Sequence, residues 1–363
     1  MSSTGGMRRT ASRVRSKARR TARKARLSMG GRPRVGLVGF FDFGNYGDEL
    51  FVEVYKEHLG PAMDLGVLYD RPAKPYFDRP VAQAVDAVDA VVIGGGDLVI
   101  PWSLSELYWK REYLRRPVFI SGVGVPERAE GKPHPDVVAR LKKFFQHPNI
   151  RYISARDEES CRWIEEHLQP RVPVRRTADI VCSLTLPPAT PSDDVLGVVT
   201  RYRPNNEDDY TQVAALAALA QERGMTVRHI VLATGDTGRR DVDNAGTLDV
   251  PGKEIVYSES LDDLSRAIGE CRMLASMKFH GSVVATMYGV PSVCMMPTAK
   301  NRRFFARIGR PELLAHFTSA DVVGYLDPLP ARIDADAVAA LRADATATMA
   351  GLREEILRTV KAW

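Results

Sequence analysis

From residue 34 onward, short runs that are apolar at nearly every position alternate with longer runs that are apolar on one face only. Arg34 to Gly39 is of the first kind and reads as a strand. Residues 48–59 (DELFVEVYKEHL) set Leu50, Phe51, Val54 and Tyr55 on one face and read as a helix. Residues 89–97 (DAVVIGGGD), 117–125 (PVFISGVGV) and 151–154 (RYIS) predict three more strands, the last two separated by a helix over 135–146. Strands apolar on both faces belong to a parallel sheet covered by helices on each side.

The rhythm breaks at 183–194 (SLTLPPATPSDD), where Pro, Ser, Thr and Asp read as a linker. It restarts with strands at 194–202, 226–235, 253–258 and 272–276 and helices at 210–224, closed by Gly224, and 261–271. Residues 277–291 (MKFHGSVVATMYGVP) follow, with Val283, Val284, Met287 and Tyr288 on one helical stripe and Gly289-Val290-Pro291 to end it. Ser292 to Met296 predicts another strand, and 297–305 (PTAKNRRFF) reads as a basic loop. Residues 334–361 space Val338, Leu341, Ala345, Met349, Leu352, Ile356 and Val360 by threes and fours, as in a long amphipathic helix. The expected fold is α/β: Rossmann-like domains at 32–185 and 193–325 facing a cleft, then an amphipathic helix at 334–363. Ligands in such sheets bind at the carboxyl ends of the strands.

Charge adds a tail to this picture. Residues 1–31 hold ten Lys and Arg and no acid, so the formal +6 of the chain leaves −4 for the remainder. Such a segment has too little apolar surface to fold alone and is expected to be disordered. It is suited to an anionic membrane surface, at roughly 1 kcal/mol per basic side chain, or to nucleic acid held without sequence choice, with a plain solvated leader as the alternative; sequence-specific nucleic-acid binding is not expected. Met7 and Met29 offer alternative starts. No apolar run approaches the length of a membrane span, and the tail lacks the apolar core of a secretory signal. The expected location is cytoplasmic, with peripheral attachment at the inner face of the membrane. Cys161, Cys182, Cys271 and Cys294 and the seven histidines show no metal-ligand spacing, so neither metal nor cofactor is expected.

Four loops carry candidate chemistry. In GFFDFGNYGDE (39–49), Gly44 and Gly47 match two glycines of a dinucleotide fingerprint, but Asp42 stands where the first would be and would repel a pyrophosphate. Those glycines still let backbone N–H groups turn inward, with Asn45 or Asp48 to cap the helix. Gly95, in IGGGDLV (93–99), lets a ligand approach the backbone closely. Arg156 follows a predicted strand at the start of a helix reaching Leu168, where its simplest role is an ion pair with Asp157. His280 opens the helix after Lys278, and Lys300 stands in the basic loop beyond the next strand. Several cations at the strand ends of one cleft point to an anionic ligand.

Taken in order, GNYGDE, DAVVIGGGD, SARDEES, TADIV (177–181), KFHGSVVATMYGVPSV and TAKNRRFF resemble the polysaccharide pyruvyl transferase family over residues 34 to about 305. That resemblance implies a two-domain, glycosyltransferase-B-like fold and transfer of pyruvate from phosphoenolpyruvate to a saccharide or lipid-linked saccharide as a ketal, with release of phosphate. It matches Arg156, His280 and Lys300 to the functional arginine, histidine and lysine of the family; together with the loop readings, His280 is expected to be catalytic and Arg156, Lys278, Lys300, Gly44, Asn45, Gly47 and Gly95 to bind substrate. Where the family usually has arginine two residues before the histidine, this chain has Lys278, which lacks the planar fork. The residue types suit the chemistry: a donor with a carboxylate and a phosphate needs cations, and histidine gives or takes protons near neutrality. Whether His280 is acid or base stays open. Two other readings stand beside this one: a glycosyltransferase of the same fold with a nucleotide-sugar donor, and a carbohydrate- or membrane-binding protein without catalysis.

Overall fold

The structure, a computed structural model, describes residues 29–68, 80–127, 132–202 and 209–363. Most of the basic tail, residues 1–28, lies outside the described residues, and with it the expectations placed on that segment. The first half forms strands β1 (Arg34–Val38), β2 (Asp64–Val67), β3 (Ala90–Gly96), β4 (Val118–Val123), β5 (Ile150–Ala155) and β6 (Val174–Arg176), and the second β7 (Val195–Val199), β8 (Thr226–Ile230), β9 (Glu254–Val256), β10 (Met273–Ser276) and β11 (Ser292–Cys294). They make two wholly parallel sheets, ordered β2-β1-β3-β4-β5-β6 and β11-β10-β7-β8-β9. Every residue of β3, β4 and β7 is buried, which is why these strands read as unbroken apolar runs. Edge strands β2 and β6 are half-exposed or exposed throughout, and the sequence gives no sign of them.

Six of the helices bear on the cleft: α1 (Tyr46–Leu59), α2 (Glu158–Trp163), α3 (Gly235–Gly246), α4 (Phe279–Met287), α5 (Ala299–Arg307) and α6 (Ala335–Ala362). Two correct the sequence reading. Residues 299–307 are helical rather than a loop, because Thr298 and Asn301 close a capping box that satisfies the first-turn N–H groups. The strand expected to reach residue 235 ends at Ile230, and α3, polar and glycine-rich, takes over at Gly235.

The linker near residue 190 separates the sheets, but the core is continuous across it. Leu50 and Phe51 of α1 belong to the same buried cluster as Val283 and Val284 of α4 and Leu352 and Ile356 of α6. Helix α6 starts where Asp334 accepts from the N–H groups of Asp336 and Ala337, then returns to cover the first half. There Thr348 accepts a hydrogen bond from the Tyr152 hydroxyl at 3.3 Å, and the Leu184 carbonyl accepts from Arg342 at 3.3 Å. The loop before α1 meets the second half directly: the Thr234 N–H donates to the Gly44 carbonyl at 2.8 Å and the Thr237 hydroxyl to the Phe43 carbonyl at 2.7 Å. Among the described residues no helix is long and apolar enough to cross a membrane.

Because α6 supplies core to both halves, Leu352→Ala is expected to destabilise the protein by about 2–5 kcal/mol in urea unfolding. A cost well under 1 kcal/mol would show that the helix is a detachable appendage.

Candidate active site

Arg156 leaves the carboxyl end of β5 and folds inward, its side chain only 3% exposed. A guanidinium so dehydrated needs carboxylates, and three surround it. Asp97, just past β3, pairs with Nη2; Asp179 Oδ2 lies 3.8 Å from Nη1, and Asp157 Oδ2 4.0 Å from Nε. The partner expected from sequence, Asp157, is the most distant. It instead caps α2 by accepting from the Ser160 N–H at 2.7 Å. Among the described residues, Nε and Nη1 of Arg156 are buried without a hydrogen bond.

The second half reaches the same point through two helix starts. Lys300, in the first turn of α5, donates to Asp97 Oδ2 at 3.0 Å, so one carboxylate holds a cation from each half. His280, in the first turn of α4, places Nε2 3.5 Å from Asp179 Oδ2, and neither atom completes a hydrogen bond among the described residues. Phe279 lies under both cations, its ring centre 5.2 Å from the Arg156 guanidinium carbon and 5.3 Å from Lys300 Nζ, close enough for cation–π attraction. A pocket of about 250 Å³ opens beside Arg156, Phe279 and Lys300 and is further lined by Arg303, Arg307 and Arg176.

Burial and charge set the carboxylates apart. Burial would raise Asp97, but Arg156 and Lys300 hold it at about 2, so it stays ionised. Burial opposes ionisation of Asp179 as well, yet His280 and Arg156 keep it below the ordinary carboxylate range. Asp48, in the first turn of α1, is pushed up by burial to about 6 despite the pull of His280 and Lys300. Its neighbour Glu49 is pushed up by burial to about 7.

Residues 45–297 match the polysaccharide pyruvyl transferase family. The chain belongs to that family. No curated protein matches it by sequence. Among solved structures it is similar to UDP-N-acetylglucosamine 2-epimerase from Rickettsia bellii, at 12% identity and a TM-score of 0.55, with 91% of this chain and 98% of that chain covered. It is similar to UDP-GlcNAc 2-epimerase from Neisseria meningitidis bound to UDP-GlcNAc, at 10% identity and a TM-score of 0.53 over 90% of this chain and 100% of that one. The UDP co-structure of MnaA from S. aureus gives 10% identity and a TM-score of 0.58 over 91% and 96%. The likeness is one of fold, a GT-B-like pair of Rossmann-like domains facing a cleft.

The family match encloses Arg156, Asp179 and His280 and stops short of Lys300. The structure brings Arg156, His280 and Lys300 into one cluster through Asp97 and Asp179. It sends Lys278 elsewhere. That half-buried ammonium pairs with Asp241 of α3 and donates to the Leu232 carbonyl at 2.9 Å, and desolvation lowers its proton affinity against the pull of Asp241. The glycines meet protein: a Cβ on Gly44 would strike the Thr234 carbonyl, on Gly47 the His280 ring, and on Gly95 the Phe51 ring. Asn45 occupies the position before α1 without capping it, donating instead to Asp48 Oδ2 at 2.5 Å. Asp97 and Asp179, absent from the sequence-derived set, both lie in motifs singled out for other reasons, DAVVIGGGD and TADIV.

The opposite displacements of Asp48 and Asp97 give opposite pH signs. The ordinary carboxyl titrates at 3.8, so the stability Asp48 contributes is complete below about 4 and is lost as pH rises through about 6. That from Asp97 is present above about 4 and lost as pH falls through about 2. Asp48→Asn should therefore gain on wild type in melting temperature as pH is raised from about 4 to about 7. A difference that stays flat or shrinks contradicts the assignment.

Proposed function

We propose that this cleft transfers pyruvate from phosphoenolpyruvate to two hydroxyls of a saccharide, forming a ketal and releasing phosphate. The observation that carries the reading is the meeting of buried Arg156 with Lys300 and His280 at strand and helix ends of both halves, with polar atoms of Arg156 and His280 left without a hydrogen bond among the described residues. A buried guanidinium with open N–H groups is a receptor for an anion. The donor carries two anionic groups, and Arg156 and Lys300 bring a cation to the cleft from each half.

The reaction needs little beyond charge and one proton carrier. Protonation of the methylene carbon of the donor makes a methyl group and leaves the adjacent carbon electron-poor. One sugar hydroxyl forms a C–O bond there and loses its proton; a second hydroxyl then replaces phosphate at the same carbon and loses its own. One of the two released protons balances the one given to the methylene carbon, and the other leaves with phosphate. His280 carries a proton in this sequence, and Arg156 and Lys300 hold the carboxylate and phosphate of the donor throughout. Asp97, which pairs with both cations in the structure, must yield contacts to the incoming anion.

Phosphate release from phosphoenolpyruvate, followed across soluble and lipid-linked saccharides, tests this reading. Release should require an acceptor and match the pyruvylated product one to one. His280→Ala should lower turnover about 10²- to 10⁴-fold, whereas Arg156→Ala and Lys300→Ala should mainly raise KM for phosphoenolpyruvate, since they bind ground and transition states alike. A folded His280→Ala protein turning over at the wild-type rate would remove His280 from the chemistry.

A further inference from the structure

Asp179 belongs to a motif (TADIV, 177–181) to which pyruvyl transfer, as set out above, gives no role. One of its oxygens is already committed. Oδ1 accepts from the backbone N–H of Val181 at 3.1 Å, which fixes the carboxylate at the head of the short 3-10 turn Ile180–Ser183. The other, Oδ2, is sealed from water, makes no hydrogen bond among the described residues, and lies 3.5 Å from His280 Nε2 and 3.8 Å from Arg156 Nη1. Keeping a bare carboxylate oxygen in the interior is costly unless positive charge or an N–H donor stands opposite.

The imidazole has little choice of pose. Phe51 meets it edge-on with ring centres 5.1 Å apart and planes at 89°, and Phe279 packs at 5.1 Å and 64°. Gly47 lies so close to Nδ1 that any side chain there would displace the ring. Of the two ring nitrogens, Nε2 is the one buried without a partner. Nδ1 lies over the first turn of α1, the turn that also carries Asp48.

We propose that Asp179 is the positioning residue of His280: it holds the ring through Nε2, so that the proton exchanged with the reactants travels on Nδ1. This deepens the pyruvyl-transfer reading and rests on it. If His280 acts as the acid, the imidazolium gives its Nδ1 proton to the methylene carbon and is left as the Nε2–H tautomer against Asp179. If it acts as the base, Nδ1 takes the hydroxyl proton while the oxygen electrons form the C–O bond, and Asp179 faces the imidazolium that results. Asp179 keeps its negative charge in both cases, as its depressed proton affinity allows. The other charged groups around the ring are Asp48 of α1, Asp97 past β3, Arg156 past β5 and Lys300 of α5. Among the described residues, Asp179 is the carboxylate within 4 Å of a ring nitrogen.

Two measurements on the full chain decide the point. Nitrogen-15 NMR of ring-labelled histidine, with His280→Ala to identify the signal, should show neutral His280 as the Nε2–H tautomer in wild type, with that preference lost in Asp179→Asn. An Nδ1–H tautomer in wild type overturns the proposal, whether or not any variant folds. In kinetics with phosphoenolpyruvate and an acceptor that supports phosphate release, Asp179→Asn should cut kcat on the order of 10²- to 10⁴-fold, as loss of an orienting carboxylate does in carboxylate–histidine pairs. KM for phosphoenolpyruvate should change by less than about threefold, and His280→Ala/Asp179→Asn should be no slower than His280→Ala alone, since residues acting as a unit are not additive. Near-wild-type kcat in Asp179→Asn beside an impaired His280→Ala overturns the positioning role and leaves the acid–base reading intact. Wild-type turnover in His280→Ala overturns both.

Discussion

The charge on Arg156 has to be matched inside the protein, and the cleft is arranged around that requirement. With its side chain 3% exposed, the guanidinium has given up nearly all its water. A charge in that position survives through paired carboxylates and fixed hydrogen bonds. Asp97 provides the principal pairing and extends its other oxygen to Lys300, which belongs to the opposite half. Neutralising one buried cation thus also draws the two domains together at the mouth of the cleft. In the proposed reaction the same arrangement would serve exchange: an anionic donor would take over contacts that Asp97 makes, trading one carboxylate for another.

The glycines of the first loop serve this geometry by what they leave out. At Gly44, with φ near 75°, the chain turns where a side chain would be strained and would strike the Thr234 carbonyl of the second half. At Gly47 the missing Cβ is the space in which the His280 ring sits. A glycine spacing that resembles a phosphate cradle on paper therefore has a packing cause: it lets a helix start from one domain lie directly against a helix start from the other. His280 is held by this contact from one side and faced by Asp179 from the other.

Much of this was legible in the residues. The central strands announced themselves because complete burial demands unbroken apolar runs, and α6 because a helix covering a core on one side must repeat at threes and fours. Edge strand β2, with its half-exposed residues, and α3, rich in Gly and Asp, carried no such pattern. Residues 297–305 read as a basic loop because Lys300, Arg302 and Arg303 crowd together after a strand, and the Thr298–Asn301 capping box that starts the helix went unrecognised. Arg156 and Lys300 could be found as cations, and His280 as a proton carrier, at strand ends; their partners could not. Asp97 and Asp179 reach Arg156 through strands distant in sequence, and only the fold says that β3, β5 and β6 deliver them to one place. Lys278 looked equally suited to the ligand, but Asp241, on a helix the sequence did not reveal, takes it instead.

A crystal structure of the protein with phosphoenolpyruvate bound tests the central claim most directly. The account predicts a donor whose anionic groups contact Arg156 and Lys300, with contacts of Asp97 released, and whose methylene carbon lies roughly 3–3.5 Å from His280 Nδ1, the distance at which a proton can pass. A donor bound away from these cations, or one whose methylene carbon faces away from His280, would contradict it.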